Sequence, residues 1–573
     1  MAIKKINREK ISQEIINRKQ VVKPNEVNDE NQKESYFIET RNYLSDGYDL
    51  YVKSLESPYR ERLGDHIRIK EVTYNIDNEK YKALIEYKSI KGISEILIDR
   101  ADYLNERKLM KYQSEGLDVM KRNVGFVTEY LRESESEVPM KYIHSKLGFS
   151  EYEGKLIYKL YKAIGIDSKY IGPYKIEPKG TIDEYLKMIN EHVLGYTELE
   201  FALSLGISSE LLAYIGEELG LDSNIIHIVG NSTTGKSTAL KLAISCFGYP
   251  SCNQESLYGT YNGTNNALIK KLGGLRGVPY ALDEISMSDS NNFTKFIYSL
   301  SNGADKERLN KDSELMKKES WLTTILSNGE KSIIRSSNKN AGVQVRVIEA
   351  ENFIWTKSAK HAESINKIIL NNYGHLGIKF AEYLLKQSKE DLIKQYKHEK
   401  DKLSNKLRSI NIYDNMTDRR CSKFTIIIQT ALILKDILNI DLDIEGMIDM
   451  ITSIEKESIR NRNFNESVID YIKGYVETYR NQFDGITEAT TPKVLGKITE
   501  KQDYIEVQMM KESFKYMINE GGYEDEKVVL KELKKGGYLD CEVDRYTRTR
   551  RGNEGKKIDY IVIKLDKYQE KIA

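Results

Sequence analysis

The stretch IIHIVGNSTTGKSTAL, residues 225–240, constrains the fold more than any other part of the chain. Its centre, residues 230–237, fits the pattern G-x-x-x-x-G-K-[ST]. An apolar run precedes this loop and an amphipathic segment follows it, as expected where a strand leads into a helix. Backbone N–H groups of such a loop surround phosphates, and the helix N-terminus favours negative charge. The sequence therefore predicts an α/β P-loop core.

The loop supplies the predicted nucleotide-binding residues. Lys236 is expected to reach the β and γ phosphates of ATP and to act in catalysis, while Ser237 is expected to hold Mg²⁺. A glycine-rich turn without a ligand is the alternative, and the strand and helix around the loop disfavour it. The residues predicted to bind ATP here are Gly230, Asn231, Ser232, Thr233, Thr234, Gly235, Lys236, Ser237 and Thr238.

An acidic pair follows a short apolar strand in the segment GVPYALDEISM. In P-loop enzymes a carboxylate at the tip of a neighbouring strand helps to hold Mg²⁺, and we assign this role to Asp283. Adjacent strand residues point to opposite sides, so Glu284 is assigned the role of general base for the attacking water. The pair favours hydrolysis over transfer to a small acceptor. A solvated acidic turn is the alternative.

Three later segments supply further catalytic candidates. The run ESWLTTILSNGE predicts a strand whose polar end places Asn328 near the γ phosphate, and NAGVQVRVIEA predicts a strand that carries Arg346. An arginine exposed at a subunit edge can stabilise charge at a neighbour's nucleotide. A surface or ion-paired arginine is the alternative for Arg346. The run TDRRCSKFTIIIQTALIL predicts a lid helix, where either Arg419 or Arg420 contacts the nucleotide.

Two basic segments predict contacts with DNA. The polar insertion SNGADKERLNKDSELMKKESW carries Lys306, Arg308 and Lys311, which would contact phosphates without reading bases. Its interleaved acidic residues leave a solvated loop as the alternative. The C-terminal stretch from about residue 465 predicts helices followed by two strands around a basic turn, as in a winged-helix module. The DNA-binding candidates in that turn are Arg548, Arg550, Arg551 and Lys556.

The remaining sequence sets the predicted domains. Segments IRIKEVTYNI, YKALIEYKS and ISEILID alternate like strands, while VGFVTEYLRE and GKLIYKLYKAIG show helical periodicity. The predicted domains are a flexible N-terminal arm (1–60), an α+β collar (61–180), an ATPase core (181–370), a helical lid (371–464) and a winged-helix domain (465–573). The net charge of +1 provides no global attraction to nucleic acid, and no apolar run spans a membrane, so we expect a cytoplasmic protein.

The order of five segments carries a resemblance to a known family. HIVGNSTTGKST, LYGTYNGTNNALIKKLGGLRGVPYALDEI, YSLSNGADKERL, WLTTILSNGE and AGVQVRVIE together resemble the AAA+ helicase domain of replication proteins from staphylococcal cassette chromosomes and pathogenicity islands. The resemblance implies a hexameric, minichromosome-maintenance-like helicase that threads single-stranded DNA, in the 3′ to 5′ direction. It also implies that residues 230–237 are the Walker A loop, Asp283 and Glu284 the Walker B pair, and Asn328 sensor 1. Arg346 becomes the arginine finger, and Lys306 and Arg308 become the channel hairpin.

The resemblance also implies partners. These are single-stranded and forked DNA, an origin duplex, five further copies of the chain and replication proteins of the element or the host, without a membrane. We expect ATP-dependent unwinding of duplex DNA during replication of a mobile element. Two alternatives stay open: an ATP-switched initiator that melts an origin without processive unwinding, and a P-loop regulator whose basic patches are solvated surfaces.

Overall fold

The computed structural model describes residues 38–53, 60–253, 255–288, 292–307, 309, 315, 318–337, 341–462, 464–485, 494–523, 525–551 and 557–566. The predictions for Arg308, Lys311 and Lys556 lie outside the described residues. Two compact units divide the chain, one comprising Met1–Ser145 and Gly165–Gly172, the other Lys146–Ile164 and Pro173–Ala573.

The described strands are β1 (Ile38–Glu39), β2 (Tyr43–Ser45), β3 (Asp49–Lys53), β4 (Arg60–Asp65), β5 (Ile67–Asn75), β6 (Lys80–Ser89), β7 (Gly92–Asp99), β8 (Met140–His144), β9 (Leu147–Tyr152), β10 (Lys155–Lys159), β11 (Ala163–Ile164), β12 (Ser168–Tyr170), β13 (Asn224–Val229), β14 (Tyr258–Thr260), β15 (Leu275–Arg276), β16 (Tyr280–Asp283), β17 (Thr324–Gly329), β18 (Val347–Glu351), β19 (Phe483–Gly485), β20 (Gly496–Glu500), β21 (Tyr504–Met510), β22 (Arg548–Arg551) and β23 (Lys557–Asp566).

The described α-helices are α1 (Arg100–Tyr103), α2 (Glu106–Leu109), α3 (Val124–Ser134), α4 (Ile182–Met188), α5 (Thr197–Ile215), α6 (Lys236–Ser245), α7 (Asn265–Leu272), α8 (Thr294–Ser301), α9 (Ala341–Arg346), α10 (Ala359–Ile369), α11 (Leu376–Leu384), α12 (Lys389–Ser409), α13 (Asn415–Leu438), α14 (Ile444–Arg462), α15 (Phe464–Thr478), α16 (Lys511–Glu520) and α17 (Glu526–Lys535).

The first unit is built on two sheets, with strand orders β1-β2-β3-β4 and β12-β8-β5-β6-β7. The alternating segments of the sequence form β5, β6 and β7 as predicted. The prediction of a flexible arm as far as residue 60 is wrong for residues 38–53, because β2 and β3 bury Tyr43 and Leu50 in the core that α3 also enters. The Tyr43 ring packs against Tyr130 of α3, which is distant in sequence, so no local pattern indicated this contact.

One predicted helix, GKLIYKLYKAIG, is instead a pair of strands, β10 and β11. Strands β9 and β10 pair antiparallel with Tyr152 opposite Lys155, so only Glu153 and Gly154 form the connection. Both have positive φ, 49° and 73°, as in the two-residue turns that match the twist of a hairpin. The two-residue turn at Glu153 and Gly154 therefore makes this segment a strand, although its apolar periodicity predicted a helix.

The second unit contains a parallel sheet in the order β14-β16-β17-β13-β18. Every residue of β13 and β17 is buried, as expected for central strands covered on both faces. Helix α5 is buried throughout residues 199–215 and packs against α6 and α13. Because all five strands run in the same direction, their carboxyl ends meet at one edge, where ligands bind in open α/β sheets.

The C-terminal part of the second unit has its own core and a sheet in the order β19-β20-β21-β23-β22. Helices α16 and α17 are joined by a short turn, and the antiparallel hairpin β22–β23 follows. This confirms the predicted strands around the basic turn. The predicted helix that began at VQMM is wrong in its first residues, which belong to β21.

Candidate nucleotide-binding site

The predicted phosphate-binding loop, residues 230–237, joins β13 to α6 at the carboxyl edge of the parallel sheet. Gly235 has φ 86°, and a Cβ there would lie 2.4 Å from Thr356 Oγ1 and 2.8 Å from Thr356 N, so the position requires glycine. The N–H of Trp355 donates to the carbonyl of Thr234 at 2.8 Å. Residues 355–356 therefore fix the loop in place from the side.

The side chains of the loop differ in exposure. Asn231, Ser232 and Thr233 are exposed, whereas Thr238 is buried and its hydroxyl accepts from the Asn366 amide at 3.1 Å. Lys236 Nζ donates to the carbonyls of Gly230 at 2.8 Å and Asn231 at 2.7 Å. An ammonium has three donors, so Lys236 keeps one for a phosphate at the loop.

Four predicted residues form one hydrogen-bonded group beside this loop. The Ser237 hydroxyl donates to Asp283 Oδ1 at 3.0 Å, and the Asn328 amide donates to the Ser237 hydroxyl at 3.3 Å. The other end of that amide, Oδ1, accepts the backbone N–H of Glu284 at 2.7 Å. Asn328 thus links the loop, through Ser237, to the acidic pair after β16.

Tyr258 on β14 belongs to this site and was missed by the sequence reasoning. Its hydroxyl is buried and lies close to the Asp283 carboxylate and the Ser237 hydroxyl. Burial and the negative charge of Asp283 raise the pKa of this hydroxyl, so it stays a donor. The hydroxyl and carboxylate oxygens of Ser237 and Asp283 are ligands that Mg²⁺ prefers, so the residues present fit this ion.

Glu284 has a backbone conformation that is unusual for a non-glycine residue, with φ 59°. Its carboxylate accepts from the Ser286 hydroxyl at 2.6 Å. Such strained conformations cluster at functional sites because surrounding contacts hold them, here the amide of Asn328. The general-base candidate is therefore held next to the loop but engaged by Ser286.

Arg346 is the last residue of α9, not part of a strand, so the predicted strand NAGVQVRVIEA is wrong in its first half. Val347 pairs with Ile225 at the start of β13, and Glu351 pairs with Val229 at its end. Arg346 therefore lies about 15 Å along the strand direction from its own phosphate-binding loop. The guanidinium stacks 4.4 Å from the centre of the Tyr298 ring, at the opposite edge of the sheet from the loop.

The two lid arginines differ sharply. Arg419 is exposed, whereas Arg420 is 1% exposed and forms an ion pair with the equally buried Glu455, with 2.6 Å between Nε and Oε2. Of the two candidates for a nucleotide contact, only Arg419 has a side chain free of the core. The polar partner of Arg420 lies 35 residues away, and no local pattern in the sequence indicates it.

Lys423, three residues along α13, is buried, and burial lowers its pKa to about 7, with Asp222 opposing and Arg420 and Arg346 adding to the shift. Between that pKa and its unfolded value near 10.4, the unfolded chain binds more protons. Stability should therefore rise with pH from about 7 to about 10, by up to about 1.4 kcal/mol per pH unit.

The Lys423→Met variant should lack this rise. Thermal unfolding of both proteins between pH 6.5 and 9.5 checks the expectation, with the exposed Lys397→Met as the control that should follow the wild type. Parallel curves for the wild type and Lys423→Met would contradict it.

The basic insertion has paired arms where the structure describes it. Antiparallel bridges join Ala304 to Ser320 and Leu309 to Leu315, as in a hairpin. Lys306 is exposed on the first arm, where a phosphate can reach it. The two bridges fit a hairpin, and its contact with DNA stays a prediction.

The predicted DNA contacts at the C-terminal hairpin are mostly engaged within the protein. Arg548 and Arg550 both pair with Asp540, and Arg550 also lies 3.4 Å from Glu506. Arg551 is exposed. A basic stripe that sequence reasoning missed lies on α17, where Lys527, Lys531 and Lys535 are exposed and spaced four apart, the spacing that places side chains on one helix face.

Comparisons with known proteins agree with this architecture. Residues 464–568 match the family described as "Cch helix turn helix domain", and residues 49–321 match the family described as "Domain of unknown function (DUF927)". A solved structure described as "SCCmec type IV Cch - active helicase" is 24% identical with a TM-score of 0.73, and the match covers 92% of this chain and 98% of that chain. No curated protein matches. The chain therefore has the fold of that structure and a C-terminal helix-turn-helix domain.

Within the described residues, every helix is too short or too polar to cross a bilayer.

Proposed function

We propose that this chain is an ATP-dependent DNA helicase of the AAA+, minichromosome-maintenance-like kind, which assembles as a hexameric ring and unwinds duplex DNA during replication of a mobile genetic element. The observation that carries the proposal is the hydrogen-bonded group formed by Ser237, Asp283 and Asn328 beside the phosphate-binding loop. A structure described as an active helicase shares the fold, and we extend that activity to this chain.

The proposed chemistry is hydrolysis of the ATP γ phosphate. Lys236 and the loop N–H groups bind the phosphates, and Asn328 positions the Walker B backbone next to them. Glu284 would take a proton from the attacking water once its carboxylate leaves Ser286. Ser237 and Asp283 would hold Mg²⁺, which neutralises charge on the phosphates when bound.

Assembly into a ring is supported by the position of Arg346. It lies at the edge of the sheet opposite the phosphate-binding loop of its own chain, too far for its own nucleotide. A head-to-tail interface brings the two edges of neighbouring subunits together, and such an interface forms a ring where the rotation between subunits closes. In that arrangement Arg346 completes the neighbour's site.

ATP-dependent displacement of a strand from forked DNA tests the proposed function. We expect the wild type to unwind the fork and Lys236→Ala to show no unwinding, because the variant loses its phosphate contact. A Lys397→Ala variant, changed at an exposed side chain on α12, is the matched control.

Hydrolysis by the wild type without strand displacement would overturn the helicase proposal in favour of an origin-melting initiator. Hydrolysis that is indifferent to DNA would favour a P-loop regulator.

The stripe on α17 makes a separate prediction for duplex binding. Replacing Lys527 and Lys531 with glutamine should weaken binding to all duplexes alike and lower the slope of log K against log salt by about 2, because each lost phosphate contact removes about 0.9. Titration of a fluorescent duplex at several salt concentrations measures this. Lys497→Gln, an exposed site on β20, is the control. An unchanged slope would exclude the stripe from the DNA interface.

A further inference from the structure

Helix α13 contacts the end of α9 through two buried basic side chains. Arg420 Nη1 donates to the carbonyls of Gln344 at 3.0 Å and Val347 at 2.8 Å, and Lys423 Nζ donates to the carbonyl of Arg346 at 3.1 Å. Carbonyls in the last turn of a helix lack donors within the helix, and cations there are stabilised by the helix dipole. Arg420 and Lys423 therefore cap the turn that carries Arg346.

Further contacts fix these two basic side chains. Glu455 on α14 accepts from Arg420 Nε at 2.6 Å and also from the Thr417 hydroxyl at 2.8 Å. Lys423 Nζ also donates at 3.2 Å to the carbonyl of Ser223, the residue before β13. The cap is thus held from one side by α14 and tied on the other to the strand that leads into the phosphate-binding loop.

The Arg346 side chain itself has looser contacts. Its guanidinium lies over Tyr298 and donates from Nη1 to the carbonyl of Gly342 at 3.0 Å, while Nε is buried without a partner among the described residues. The backbone of Arg346 is therefore fixed by α13, whereas its guanidinium can exchange weak contacts within its own chain for a phosphate on a neighbour. An arginine with a fixed backbone and a guanidinium that can change partners is suited to placing a charge across an interface.

We propose that Arg420, oriented by Glu455, and Lys423 are positioning residues that hold the last turn of α9 so that Arg346 reaches the nucleotide of the neighbouring subunit. The inference rests on the proposed function, because it requires Arg346 to act across a subunit interface. It gives Arg420 the role of positioning the arginine finger, Arg346, and not the role of contacting the nucleotide of its own subunit.

The test uses the full-length chain with both members of the buried ion pair replaced, Arg420→Met with Glu455→Met, so that no buried charge is left unpaired. We expect kcat for ATP to fall about 10- to 100-fold through displacement of the finger, since a shift of about 1 Å can cost that much. KM for ATP should stay within about twofold of the wild type. Lys397→Met, exposed on α12, is the control with wild-type kcat.

Mixed rings separate a finger defect from a defect in the subunit's own site. The paired variant has an intact loop and a misplaced finger, whereas Lys236→Ala has a defective loop and an intact finger. Mixed in equal amounts, they should recover about a quarter of the wild-type turnover, because a quarter of the interfaces join a good loop to a good finger. Arg346→Ala mixed with Lys236→Ala should recover equally, and Arg346→Ala mixed with the paired variant should recover nothing.

The outcomes separate a failure of the positioning role from a failure of the proposed ring function. If the paired variant keeps wild-type kcat, or fails to recover with Lys236→Ala while Arg346→Ala does recover, the positioning role is overturned. If Arg346→Ala does not recover either, or the wild type does not hydrolyse ATP, the proposed ring function is overturned, and the inference with it.

Discussion

Replacing Arg346 with alanine should lower kcat for ATP hydrolysis by about 10³-fold or more while ATP affinity stays nearly unchanged. The reason is geometric, since Arg346 lies at the sheet edge opposite its own loop and can stabilise the charge of the transition state only on a neighbour's phosphate. Binding of the ground-state nucleotide depends on the loop of the other subunit. The interaction removed therefore acts on turnover and not on affinity.

Steady-state hydrolysis with single-stranded DNA, combined with titration of a fluorescent ATP analogue, measures the two effects separately. Arg346→Lys is the matched control, because it keeps the charge and loses the planar fork, and we expect intermediate turnover. A large loss of affinity with normal turnover would contradict the assignment.

The second large effect concerns stability. Replacing Arg420 alone with alanine should destabilise the protein by about 3–5 kcal/mol, because the buried carboxylate of Glu455 would lose its cationic partner. Replacing both residues with methionine should cost far less, since a buried ion pair exchanged for apolar groups of similar volume is often nearly neutral.

Urea unfolding of the wild type, the single variant and the paired variant compares these values, with the signal of helix content as the probe. Equal destabilisation by the single and paired variants would show that the carbonyl contacts of Arg420, and not its charge pairing, dominate its contribution. Restored stability in the paired variant also qualifies it for the mixed-ring experiment.

The residues closest to the phosphate-binding loop were predictable from sequence because each is marked by a local pattern. The loop motif fixes Lys236 and Ser237, and short apolar strands that end in polar residues indicate Asp283 and Asn328. Because the strands of the sheet are parallel, the carboxyl ends that carry Asp283 and Asn328 lie at one edge, and no further sequence signal is needed to place them together. The hydrogen bonds of the site agree with that arrangement.

Other features depend on partners distant in sequence and were not predictable. Arg420 looks like a lid arginine until Glu455 is found beside it, and Arg548 looks like a DNA contact until Asp540 is found beside it. Tyr258 carries no motif and joins the site only because β14 lies next to β16. The segment before Arg346 is rich in valine, which favours strands, but it forms a short helix packed against α8.

The phosphate-binding loop lies at the carboxyl ends of the parallel strands and Arg346 lies at their amino ends. This placement has a consequence for how the protein behaves on dilution. In the proposed ring each chain would contribute its loop to one site and Arg346 to another, so full activity would require contact between molecules. Specific activity should then fall at low protein concentration, where rings dissociate, even though each chain remains folded. Any factor in the cell that gathers these chains on DNA would therefore also turn on their hydrolysis of ATP.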